Sequence, residues 1–103
     1  MDRISKLKEY LGSKPGDAFL QHALALELIK VGRLEDARLL FMEILERDCL
    51  YTGSYYHLGK LLERMGQGEE AVQWYEKGMQ ACLESGDRHA YGELRGAYEE
   101  LTF

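Results

Sequence analysis

Three histidines, His22, His57 and His89, recur at intervals of about one third of the chain, with Cys49 and Cys82 between them. Nitrogen and sulfur donors of this kind hold zinc when three or four of them converge. Convergence is usually built from local pairs, either CxxC or histidines four apart on a helix, and neither pattern is present. No metal site is expected. The carboxylate pairs Glu35-Asp36, Glu69-Glu70 and Glu99-Glu100 offer acid-base chemistry instead. Neighbouring residues on a helix project in different directions, so these pairs do not face one another across a substrate. The first two are better read as favourable charge near helix starts. There is no Gly-rich phosphate loop, nucleophile elbow or Ser-His-Asp arrangement. The chain is therefore not read as an enzyme, and no catalytic residue or cofactor is expected.

If no side-chain cluster carries chemistry, function must lie in a surface and in the elements that shape it. The 103 residues suit a single domain, 1–103, and 46% hydrophobic residues suffice for an ordinary core without disulfides or metals. Thirteen basic residues against eighteen acidic ones give a net charge of -5, which opposes nonspecific attraction to nucleic acid or anionic membranes. Met1-Asp2-Arg3-Ile4-Ser5-Lys6 alternates charged with apolar residues, unlike a secretory signal, and no run approaches the ~20 apolar residues of a membrane span. A cytoplasmic location is the expectation. In that reducing compartment both cysteines are expected to be small buried or half-buried side chains.

Five breaks separate six helical segments: Lys14-Pro15-Gly16-Asp17, Gly32-Arg33, Tyr51-Thr52-Gly53, Gly66-Gln67-Gly68 and Ser85-Gly86-Asp87. Self-comparison at an offset of 34 pairs Leu24 with Leu58, Ala25 with Gly59, Leu28 with Leu62, Gly32 with Gly66, Ala37 with Ala71, and Phe41 with Tyr75. Leucines four apart share one helix face, which predicts the packing seam. Ala25 and Gly59, and likewise Ala37 and Ala71, let a neighbouring helix approach to the short end of the usual 8 to 10 Å range. Phe41 and Tyr75 cover the space left by the small residues. Gly32 and Gly66 end the first helix of each pair in a left-handed conformation. The same offset carries Cys49 back to Pro15 and Phe41 back to Leu7, so residues 2–13 read as a second helix without its first, with Ile4, Leu7 and Leu11 as its apolar stripe.

This pattern resembles the tetratricopeptide repeat, with its 34-residue period and W-x2-L-G-x2-Y, A-x3-F, P signature. The second unit, 52–85, supplies Tyr55, Leu58, Gly59, Leu62, Ala71 and Tyr75, and departs at Leu62 and Leu83 in the Tyr and Pro places. The first, 18–51, is looser, with Gln21, Leu28 and Cys49 in the Trp, Tyr and Pro places. Residues 87–101 start at a predicted Asp87 N-cap, with Tyr91, Leu94, Tyr98 and Leu101 on one face. They resemble the start of a third repeat shifted by two, with Arg95 where a small residue belongs, and are read as a capping helix. The resemblance implies an all-α, right-handed antiparallel helix-hairpin solenoid of about six helices.

It also implies function. In this family the first helices of successive repeats line a concave surface that holds a peptide or a partner's helix. The corresponding positions are Phe19, His22, Leu26, Ile29 and Lys30 in the first repeat, and Tyr56, His57, Lys60, Glu63 and Arg64 in the second. Phe19, Leu26 and Ile29 are either a contact stripe or are covered by a neighbouring helix. Lys30, Lys60 and Arg64 either favour an acidic peptide or are ordinary solvated charge. The carboxylate clamp of chaperone-binding members is not expected, because its aligned places hold His22, Leu26 and His57. The expectation is a protein- or peptide-binding adaptor or scaffold. The alternative is a self-associating module, a homodimer without a dedicated peptide ligand.

Overall fold

The computed structural model describes residues 2–103; Met1, part of the expected 1–103 domain, lies outside them. Six helices follow one another: α1 (Arg3–Ser13), α2 (Ala18–Lys30), α3 (Leu34–Arg47), α4 (Gly53–Arg64), α5 (Gly68–Ser85) and α6 (Arg88–Thr102). There is no strand among the described residues. Each helix packs on the next in the chain, and α6 also packs on α4. The result is an elongated body of 44 × 29 × 19 Å.

The stops and starts have local causes. Gly32, Gly66 and Gly86 have φ of 81°, 78° and 75°, a region that side-chain-bearing residues rarely adopt, and they turn the chain out of α2, α4 and α5. Asp2, Asp17 and Asp87 cap α1, α2 and α6 by accepting the backbone N–H of Ser5, Leu20 and Ala90. α3 and α5 have no side-chain cap, and their first turns carry Glu35-Asp36 and Glu69-Glu70. There the negative charge complements the helix dipole, as the sequence suggested.

The seam residues form the core. Leu58, Leu62, Phe41, Ala25, Ala37, Ala71 and Tyr75 are all 0% exposed, with Leu24 and Leu28 at 7% and 4%. A Cβ at Gly59 would overlap the Tyr75 ring, so this glycine is what lets α4 and α5 close on each other. Gly78, about one turn after Tyr75 on α5, is a second close approach, where a Cβ would sit 2.7 Å from Tyr55 Cβ of α4 and 2.9 Å from Leu94 Cδ1 of α6. At an offset of 34 Gly78 falls opposite Ile44, so the repeat comparison gives no sign of its role. One expectation is corrected: Cys82 is buried, but Cys49 is exposed, because it lies in the turn after α3. The C-terminal face is also less covered than its pattern implies, with Leu94 at 0% but Leu101 at 38%.

Gly59→Ala gains about 1 kcal/mol of helix propensity, yet it should lower the melting temperature. Overpacking against Tyr75 costs about 1 to 3 kcal/mol. Gly92→Ala, whose Cβ would meet nothing within 4 Å, should raise it by the propensity gain alone. Equal shifts in thermal denaturation would contradict the close approach at Gly59.

Candidate functional site

A groove of about 250 Å³ lies between the C-terminal halves of α2 and α4. Leu26, Ile29 and Lys30 from α2 line it, with His57, Lys60, Leu61 and Arg64 from α4. The apolar part of the lining comes from Leu26 and Ile29, both half-buried against the core, and from Leu61, 3% exposed. Lys30 and Arg64 stand in the last turns of their helices, where the carbonyl ends favour a cation.

The charged side chains differ in what already holds them. Lys30 Nζ is 2.8 Å from Glu27 Oε2, and Arg3 Nε approaches the other oxygen of Glu27 at 3.6 Å. Lys60 Nζ lies 3.7 Å from Glu63 and 3.8 Å from Glu100 of α6, and 5.8 Å from the centre of the Tyr56 ring. Glu63 also accepts a hydrogen bond from the buried Tyr75 hydroxyl. Burial first, and then that carboxylate, pushes the Tyr75 pKa up. Arg64 makes no ion pair among the described residues.

Beside the groove the two helices are joined by an aromatic and polar cluster. His22 Nδ1 and the fully buried Ser54 Oγ share a hydrogen bond of 2.8 Å. The His22 ring lies 5.2 Å from His57 and edge-on to Phe41 at 5.4 Å, while His57 stacks over Phe41 at 6.3 Å and meets Tyr56 edge-on at 5.7 Å. Burial, then the neighbouring His57, pushes the His22 pKa down to about 4. Burial also lowers His57, against an opposing pull from Glu93.

The ten residues singled out from the sequence are thus not one surface. Leu26, Ile29, Lys30, His57, Lys60 and Arg64 come together in the groove. Tyr56 adjoins it through His57 and Lys60. Glu63 is held by Tyr75, and His22 is largely engaged between the helices. Phe19 is elsewhere: 71% exposed, it lines a separate pocket of about 320 Å³ with Tyr10, Lys14 and Leu20 where α1 meets α2. It sits in the first turn of α2, away from the end that forms the groove. Leu61 and Glu27 were missed. They share a register at an offset of 34, but one is apolar and the other acidic, so the repeat comparison passes over them. His89 is apart from the other histidines, exposed and 3.6 Å from Glu93. Among the described residues no three His, Cys, Asp or Glu side chains gather into a metal-binding group.

The histidine pair has a measurable consequence. Both folded-state pKa values lie below that of a free imidazole, about 6.5, so as the pH falls the unfolded chain takes up protons first. The stability these rings contribute is complete above about pH 6.5 and is lost as the pH falls towards about 4. Urea denaturation across that window should show a loss on the order of 1 kcal/mol from His22, allowing for solvent screening of a half-buried ring. His22→Gln should flatten the slope, and an unaltered slope would count against the buried neutral pair.

The tetratricopeptide repeat family model matches residues 1–83. The crystal structure of a tetratricopeptide repeat domain protein from Salinibacter ruber is 37% identical, with 84% of this chain and 96% of that chain covered and a TM-score of 0.79. A solution structure of a tetratricopeptide repeat domain protein from the same organism gives 38% identity, 84% and 88% coverage and a TM-score of 0.81. The solution structure of a Bordetella parapertussis protein, 22% identical, covers 99% of this chain and 89% of its own with a TM-score of 0.84, a likeness of fold alone. No curated protein gives a significant match. With the 34-residue register, the close helix contacts at Gly59 and the family match over most of its length, the chain belongs to the tetratricopeptide repeat family.

Proposed function

We propose that the protein is a non-enzymatic adaptor or scaffold module that binds another protein or a peptide in the groove between α2 and α4. The observation that carries this reading is the convergence there of Leu26, Ile29, Lys30, His57, Lys60 and Arg64. An apolar lining with a few polar groups around it is the usual make-up of a recognition site. Family membership agrees, since tetratricopeptide repeats are in general protein-interaction modules. Part of the same reading is a division into a half repeat (2–13), two repeats (18–51 and 52–85) and a capping helix (87–101). A cytoplasmic setting belongs to it as well. No helix among the described residues is long and apolar enough to cross a membrane.

A peptide array probed with the labelled protein should yield ligands whose affinity falls about tenfold or more, at least about 1.4 kcal/mol, on Tyr56→Ala or Ile29→Ala with helicity retained. Ligands indifferent to both changes would put the binding surface elsewhere.

Self-association is the second reading, favoured by Phe19 and Tyr10, which at 71% and 51% exposure share an apolar pocket outside the groove. On this reading, sedimentation shows mass rising with concentration in the parent protein and not in Phe19→Asp. A single monomeric species across the range would remove it.

A further inference from the structure

Resting on the groove as a ligand site, we propose that its guest is a peptide segment with one large apolar side chain beside an Asp or Glu whose carboxylate pairs with Arg64. The apolar half follows from the lining. Leu26, Ile29 and Leu61 supply the apolar lining of a space of about 250 Å³, where burying a large side chain is the main source of affinity.

The carboxylate half follows from which cation is available. Lys30 is held by Glu27, and Lys60 lies between Glu63 and Glu100, so each has an internal counter-charge. Arg64 lines the same groove and has none among the described residues. Its planar guanidinium presents donors in a fork that fits a carboxylate with two parallel hydrogen bonds, which an ammonium cannot match. The field also has a direction. Glu93 and Glu100 of α6 lie near His57 and Lys60, so a guest carboxylate is repelled from the α6 side and drawn to Arg64. A protein of net charge -5 offers acidic peptides no general attraction, so preference for one must come from the local charge of Arg64. Two of the clamp places, Leu26 and His57, line this groove without supplying its cation, which is Arg64 in the last turn of α4.

The test is selection from a display library of random peptides on the whole chain. Enriched sequences are then synthesised with a fluorescent label and titrated against the parent protein, Arg64→Glu and Ile29→Ala. The enriched peptides should share an apolar residue adjoining Asp or Glu. Arg64→Glu, an exposed position that leaves the core intact, should weaken them at least about tenfold. Replacing the peptide's acid by Lys should recover binding to Arg64→Glu while weakening binding to the parent. Peptides that are sensitive to Ile29→Ala but lack an acid, or that ignore Arg64→Glu, would overturn the carboxylate pairing and leave the groove reading standing. If no peptide is enriched, or all are indifferent to Ile29→Ala, the groove reading fails and the pairing with it.

Discussion

The contact between the Tyr75 ring and the bare backbone of Gly59 sets the distance between α4 and α5, and much of the rest of the molecule is built around that distance. With the ring fully buried, its hydroxyl is carried along the side of α4 to Glu63, one turn beyond the glycine. One side chain thus fills the core and also fixes an acid beside the groove. Gly78, about one turn further along α5, repeats the device where Tyr55 of α4 and Leu94 of α6 meet it. At Gly78 α5 is thus close to both α4 and α6, and α6 packs on α4 as well as on α5. Close-packed interiors tolerate neither excess volume nor a void, so each aromatic ring needs its glycine.

The first hairpin solves the same problem with different residues, and the difference shows in what lines the groove. Phe41 takes the place of Tyr75 and has no hydroxyl to satisfy. The residue in register with Glu63 is Ile29, so where the second hairpin holds an acid for its tyrosine, the first offers an apolar surface. Leu26 is likewise in register with Lys60, and Lys30 with Arg64. Equivalent positions on α2 and α4 line the groove, one supplying mainly apolar area and the other mainly charge. The neutral pair His22 and His57 fills the interval between these helices, with the Ser54 hydroxyl satisfying one ring nitrogen. A buried polar group joining two elements must be fully hydrogen-bonded to be tolerated, and the absence of unsatisfied buried side-chain atoms among the described residues fits that requirement.

The helices, their breaks and the seam were legible in the residues because their causes are local or periodic. A glycine after an apolar stripe, an aspartate three residues before a backbone donor, and a small residue recurring at an offset of 34 each act within a few turns of chain or repeat at fixed register. Leu24, Leu28, Leu58 and Leu62 are buried for that reason. The candidate site was legible only in part. Leu26, Ile29, Lys30, His57, Lys60 and Arg64 share a helix face and converge, whereas Phe19 lies a full helix length from that end and meets Tyr10 instead.

The sequence by itself determined six helices, their order and which face of each is apolar, since these depend on spacing along one chain. Only the tertiary structure decided which polar side chains are already spent. Glu63 belongs to Tyr75, Lys60 is shared between Glu63 and Glu100, His22 is tied to Ser54, and Arg64 is left without a counter-charge among the described residues. Apart from Lys60 and Glu63, which are three residues apart on α4, these pairings join separate helices. Their energies depend on distance and burial rather than on sequence separation, so no repeat period encodes them.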